Sequence, residues 1–278
     1  MPIEKIYKRT LNTKKDVVKI SKYADYIIDA PSSGIFHEQK IINWFCVGIP
    51  QKQDVLTTSS QNTITTILHS PSNPAAKGTD VIRQAIKELK LEGYEFKYIE
   101  MINRTNQQVL DAICEAEFII DQLYSDTPMA AFATEAAFYG KPAIVGGYEI
   151  EKINAMLPAE KRPPSYLIYP SKEELKKAII KLIEDKEFRQ NLGKQAQEFV
   201  HKNWNAKHVA ENYLRIINND IPEEWYISPY KIDFIYGCCI EDVRRRSLIS
   251  EYIQKYGKES LCLSDKKDIE MLLLSNLT

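Results

Sequence analysis

The sequence predicts an α/β fold, a parallel sheet with helices on both faces. Between residues 64 and 217, short apolar runs alternate with amphipathic stretches of ten residues or more. Strands separated by helices of that length join through right-handed crossovers into a parallel sheet. Capping and turn residues punctuate the ends of these stretches, at Gly93, at Gly140-Lys141-Pro142 and at Ser171.

Residues 1–50 open with a charged, helical start. The apolar run Tyr26-Ile27-Ile28-Asp29-Ala30 follows and is stopped by Pro31-Ser32-Ser33-Gly34, a strand-end signature. Residues 51–63 are polar without periodicity and read as a linker. Residues 64–69 read as a strand. Residues 79–91 read as a helix, with Val81, Ile82, Ala85, Ile86 and Leu89 at three-four spacing and Gly93 closing it. A strand at 94–101, a helix at 106–115, a strand at 118–123, a helix at 130–139 and a strand at 143–145 come next. A short strand at 166–169 precedes a helix at 172–183, where Ser171 and Glu174 form a capping box. Helices at 186–203 and 207–217 complete a domain spanning 64–220. After Pro222 the order is strand (232–236), helix (240–256), strand (260–263), helix (265–274), a small βαβα extension over 221–278.

Bulk properties narrow the function. The 278 residues are 44% hydrophobic and 27% charged with a net charge of −1, ordinary for a globular protein and without a field that draws nucleic acid. Arg244-Arg245-Arg246 reads as a solvated helix face, with lipid or an acidic partner as the alternative. Cys46, Cys114, Cys238, Cys239 and Cys262 follow no metal or redox spacing, and most lie in apolar runs expected to be buried, which suits a reducing compartment. The N-terminus has no apolar signal segment, and no run of about 18 apolar residues exists. A cytoplasmic location is expected, with peripheral membrane contact left open.

Two loops hold the candidate chemistry. Ser70 to Asp80, SPSNPAAKGTD, joins a strand end to a helix start. Helix starts expose backbone N–H groups and bind phosphate. Lys77 adds a charge, Gly78 lets backbone come close, and Thr79 caps the helix or offers its hydroxyl. An ordinary capped loop with a surface lysine fits as well. Neither the G-x-x-x-x-G-K-[ST] nor the G-x-G-x-x-G pattern occurs, which argues against a phosphate-cleaving NTPase and an NAD dehydrogenase. The second loop follows Asp121-Gln122-Leu123 and enters a helix of small residues around Glu135. A carboxylate among apolar neighbours needs a partner. It has either a basic side chain or the two hydroxyls of a ribose.

In order, SPSN-x3-KG-T, A-E-F-I-I-D-Q-L, T-E-A-A-F-Y-G-K-P-A-I-V and the closing helices with Pro170-Ser171-Lys172-Glu173-Glu174-Leu175 and Leu192-Gly193-Lys194 resemble the donor-binding, C-terminal domain of retaining GT-B glycosyltransferases. The resemblance covers about residues 20–217, and E-A-x3-G-K-P is its most specific part. It implies a Rossmann-like nucleotide-sugar-binding domain over 64–220. Lys77 would hold the donor diphosphate and Glu135 the ribose. Ala130 and Ala131 would turn backbone amides to the diphosphate and sugar, with Met129 beside them. Met101, Ile102 and Asn103 would border the base. Ser72, Asn73, Gly78 and Thr79 would complete the phosphate loop. Two positions depart from the pattern. Asn73 stands where an arginine is common. Thr127 stands where a first glutamate is common, with Asp126 beside it as a substitute catalytic carboxylate.

The remaining histidines read as follows. His201 and His208 lack a third ligand for zinc. His69 ends a strand beside the phosphate loop, where a buried hydrogen-bonded role outweighs a donor contact. His37 is a poor match to the histidine that faces the donor from the other domain of such enzymes. No D-x-D occurs. The scattered aromatic residues read as core. The resemblance implies hexosyl transfer from a nucleotide-activated sugar to a glycan or lipid-linked acceptor, with retention and without metal or other cofactor. A two-domain enzyme of this kind takes roughly 350 residues. Residues 1–50 therefore read as a remnant of the acceptor-side domain, truncated or missing here, so that a partner chain or self-association replaces it. A non-catalytic donor-binding or scaffold subunit and a nucleotide-sugar epimerase are the alternatives.

Overall fold

The structure is a computed structural model that describes residues 3–43, 49, 64–235, 239–275 and 277. The expected linker at 51–63, Tyr236, Cys46 and Cys238 lie outside the described residues. In chain order the elements are α1 (Ile3–Ser21), β1 (Ile28–Asp29), β2 (Ile41–Asn43), β3 (Thr66–His69), α2 (Pro74–Lys77), α3 (Thr79–Leu91), β4 (Lys97–Glu100), α4 (Asn106–Glu115) and β5 (Phe118–Gln122). They continue with α5 (Ala131–Phe138), β6 (Ala143–Gly146), α6 (Ile150–Ala155), β7 (Tyr166–Ile168), α7 (Lys172–Glu184), α8 (Lys186–Asn203), α9 (Ala206–Ile217), β8 (Tyr226–Ile227), α10 (Asp242–Tyr256) and α11 (Lys267–Ser275). None of the described helices is long and apolar enough to cross a membrane.

Two compact units form, one from residues 46–211 and one from residues 1–45 with 212–278. The first holds a five-stranded sheet of order β4-β3-β5-β6-β7, parallel throughout. Its central strands β3, β5 and β6 are largely buried and mostly apolar on both faces, as strands covered by helices on each side must be. Ile67, Phe118, Ile120 and Ile144 point into a core closed by α3 and α7, through Ile82, Leu89, Leu175 and Ile179. Their neighbours Leu68, Ile119, Ala143 and Val145 point the other way, into a core closed by α4, α5 and α8. The chain steps from β3 outward to β4, then returns to the opposite side of β3 as β5. The crevice between the carboxyl ends of β3 and β5 is therefore the topological switch point, where ligands of such sheets bind.

The other unit corrects the reading of the chain ends. Its sheet has the order β1-β2-β8, so residues near 42 pair with residues near 226, and the first and last segments fold together. The extension is not βαβα. Residues 232–235 form no strand, although Ile232, Phe234 and Ile235 are buried, and Lys258–Leu261 is a 3-10 turn where a strand was expected. Tyr7 stacks on Tyr256 at 4.0 Å, joining α1 to α10. On α10, Arg245 and Arg246 both pair with Asp242, while Arg244 is exposed. Cys114, Cys239 and Cys262 are half-buried, less sheltered than their apolar neighbours suggested.

Candidate functional site

The phosphate loop contains a turn of helix that sequence reading left as loop. Asn73 caps α2, its Oδ1 accepting from the Ala76 N–H at 3.2 Å, and Pro74 takes the first helical position. Asn-Pro is the usual pairing of cap and first residue. Gly78 ends α2 in the left-handed region, φ +74°, and starts α3. A Cβ there would stand 3.0 Å from both Leu123 Cβ and the Tyr124 ring, so only glycine fits this crossing. Ser72 and Asn73 are exposed.

Lys77 is fixed at both ends. Its carbonyl accepts from the Leu123 N–H at 3.0 Å, and its Nζ lies 2.7 Å from Oδ1 of Asp121, at the end of β5. It is not a surface lysine, for its side chain keeps 14% exposure. The ammonium lies 5.8 Å from the centre of the Phe132 ring, in the first turn of α5. The loop leading there is built around buried Ser125, whose Oγ accepts from Gln122 Nε2 at 2.7 Å and from the Thr127 N–H, and donates to the Thr127 carbonyl. Asp126 is exposed on this loop and Thr127 half-buried.

Helix α5 presents one narrow face. Its residues are buried except Ala131 and Glu135, which are four apart and so lie one above the other. Its start at Ala130 has no side-chain cap, which leaves first-turn N–H groups for a ligand. Met129 is buried beneath it. Among the described residues Glu135 meets neither a lysine nor an arginine. Its Oε1 accepts from Asn106 Nδ2 at 2.9 Å, an uncharged partner that leaves the carboxylate its charge. Asn106 was missed by sequence reasoning. The signal lay in the capping box of Thr105 and Gln108, which fixes Asn106 as the first residue of α4. Ile102 is half-buried, and Asn103 is exposed in the left-handed region at φ +55°.

The structure corrects Thr79. It is fully buried, and its Oγ1 lies 3.0 Å from Nε2 of His69, whose Nδ1 is 2.8 Å from the Ile120 carbonyl. Only an N–H can face that carbonyl, so Nε2 accepts the Thr79 hydroxyl proton. The hydroxyl is spent inside the fold, and the residue offers a ligand only its backbone. His69 ties β3, β5 and α3 together. Burial lowers its pKa and favours the neutral ring. As pH falls through the ordinary value of 6.5, the unfolded chain therefore takes up this proton before the native state does. Stability from this site is full above pH 6.5 and falls as pH drops, by at most about 1.4 kcal/mol per pH unit. Denaturant unfolding between pH 5 and 7 should show this slope reduced in His69→Gln, and equal slopes would refute it.

The sheet edge also gathers aromatic rings read from sequence as scattered core. Tyr124, Tyr148 and Tyr169 follow β5, β6 and β7 in turn, with ring centres 6.2 Å and 5.3 Å apart. The other candidates fall elsewhere. His201 Nε2 donates to the Phe138 carbonyl at 3.1 Å, and the backbone N–H of His208 is capped by Asn205. His37 belongs to the other unit, where it pairs with Asp29 at 2.9 Å.

The fold is similar to that of solved structures. Sucrose-phosphate synthase of Thermosynechococcus elongatus matches with a TM-score of 0.54 at 15% identity, over 76% of this chain and 61% of that one. HepE of Anabaena, solved with UDP and glucose, matches with a TM-score of 0.53 at 14% identity, over 75% of this chain and 67% of that one. The same protein with UDP-glucose gives 0.53 at 13% identity, over 76% and 68%. The fold is GT-B. The five-stranded unit has the Rossmann-like fold of a GT-B domain, as the resemblance implied. No family model and no curated protein sequence matches the chain. The chain spans about three-fifths of the length of the sucrose-phosphate synthase structure it matches.

Proposed function

We propose that this chain binds a nucleotide-activated sugar at the switch point and supplies the donor half of a retaining, metal-independent glycosyltransferase acting on a glycan or lipid-linked acceptor. One observation carries the reading. The ammonium of Lys77 is held beside the uncapped start of α5, and the unburied residues of that helix are Ala131 and Glu135. A diphosphate at the helix start would lie against Lys77, with the ribose one turn further on at Glu135. HepE, of the same fold, was solved with UDP-glucose, which supports a donor of this class.

In transfer, the bond between the anomeric carbon and the terminal phosphate oxygen breaks and a bond to an acceptor oxygen forms. The electron pair stays on the diphosphate, whose leaving oxygen takes up the acceptor's hydroxyl proton. Lys77 and the N–H groups of Ala131 and its neighbours would stabilise that charge, and Glu135 would orient the donor through the ribose. Asp126, exposed on the Ser125 loop, is the carboxylate we place nearest the sugar. The test is a thermal-shift panel of UDP-, GDP- and ADP-sugars. One base is expected to raise the melting temperature in a concentration-dependent manner. A folded sample unmoved by all three at millimolar concentration would overturn the reading. The second reading, a donor-binding subunit without transfer of its own, is favoured by Thr127 at the usual glutamate position. It predicts the same shifts with no donor turnover by NMR until a partner chain is added.

A further inference from the structure

Asp121 breaks the local pattern in three ways. It follows the apolar run Phe118-Ile119-Ile120 in the central part of the sheet. The pairing of β5 with β6 slips there, with Ile120 opposite Ile144 and Gln122 opposite Val145, so Asp121 is the extra residue of a bulge. Its side chain has no exposed surface, and Oδ2 is buried with no hydrogen-bond partner among the described residues. A buried carboxylate oxygen without a donor costs stability. Bulges recur beside active sites, where they re-aim a side chain. Broken local rules of this kind mark functional positions.

Among the described residues the partner of Asp121 is Lys77, at 2.7 Å. A carboxylate so close subtracts from the positive potential that the lysine offers. Burial keeps water from screening it, and among the described residues no second donor shares its charge. A free nucleoside diphosphate carries one more negative charge than the same nucleotide joined to a sugar, because its terminal phosphate loses a second proton near pH 6. The two ligands therefore feel the carboxylate unequally.

We infer that Asp121 is a specificity-determining residue that, acting through Lys77, disfavours the free nucleoside diphosphate relative to the nucleotide-sugar. The inference rests on the donor-site reading above. Its consequence is that spent nucleotide leaves the site instead of blocking it.

The experiment is calorimetry at pH 8 with UDP and UDP-glucose, GDP and GDP-mannose, and ADP and ADP-glucose, on the natural chain and on Asp121→Asn. The amide keeps the size and an acceptor for Lys77 but removes the charge. In the variant the preference for the diphosphate over its sugar, taken as the ratio of the two Kd values, is expected to rise about tenfold, or about 1.4 kcal/mol. A ratio unchanged, or moved towards the nucleotide-sugar, would overturn the inference and leave the donor site standing. Binding of no pair by the natural chain would overturn the donor site itself. If Asp121→Asn does not fold, Asp121→Ser gives the same readout, since it also lacks the charge.

Discussion

Gly193→Ala is expected to destabilise the larger unit by about 3 kcal/mol, read as a lower urea midpoint. Helix propensity alone predicts the opposite, a gain of about 1 kcal/mol for alanine inside α8. Packing decides the sign. A Cβ at Gly193 would stand 2.2 Å from the carbonyl oxygen of Gly140 and 3.0 Å from Cδ of Pro142. Those atoms belong to the turn that closes α5, held by Gly140 N–H to the Ala137 carbonyl and Lys141 N–H to the Ala136 carbonyl. The turn is also tied down onto this face of α8, because Gln197 and His201 both donate to the Phe138 carbonyl, at 3.0 and 3.1 Å. Backbone cannot give way as a side chain would, so α8 must move off α5. An alanine variant as stable as the natural chain would show that the two helices do not meet this closely. This contact divides the most specific part of the sequence resemblance in two. Within E-A-x3-G-K-P, the Gly140-Lys141-Pro142 end is a packing device against Gly193, and Glu135 is left only partly buried.

That division explains what the sequence made legible. The helices at 79–91 and 106–115 occupy the residues expected of them, because each couples apolar periodicity to an end signal, Gly93 in one and Thr105 in the other. The expected strands at 232–236 and 260–263 failed because a short apolar run reports burial and nothing about hydrogen-bond partners. Ile232, Phe234 and Leu261 are indeed buried. Conversely, β8 was missed because its partner β2 lies far away in sequence. The site divides along the same line. Lys77 and Glu135 follow from local position, after a strand and inside a helix. The pairing of Asp121 with Lys77 and of Asn106 with Glu135 arises only when neighbouring strands and helices meet, and no spacing within one segment encodes it.

Lys77→Ala is expected to weaken nucleoside diphosphate binding by about ten- to a hundredfold, the worth of one or two charge-assisted hydrogen bonds. It is also expected to lower stability by about 3 kcal/mol, because Asp121 is left buried without its counter-charge. These two losses have one cause but separate remedies. In Lys77→Met with Asp121→Leu, both charges go and apolar side chains of similar size fill the space. Stability should return to that of the natural chain or exceed it, since replacing a buried ion pair in this way is often neutral or favourable. Binding should stay lost, because nothing cationic remains at the start of α5. Glu135→Ala supplies the contrasting case. Among the described residues its half-exposed carboxylate meets only Asn106, so the substitution should leave the urea midpoint within about 0.5 kcal/mol while weakening nucleotide binding. If the double variant regained binding along with stability, Lys77 would belong to the fold and not to the ligand. Loss of binding at full stability is the pattern that a phosphate-holding lysine, kept in place by a buried carboxylate, must produce.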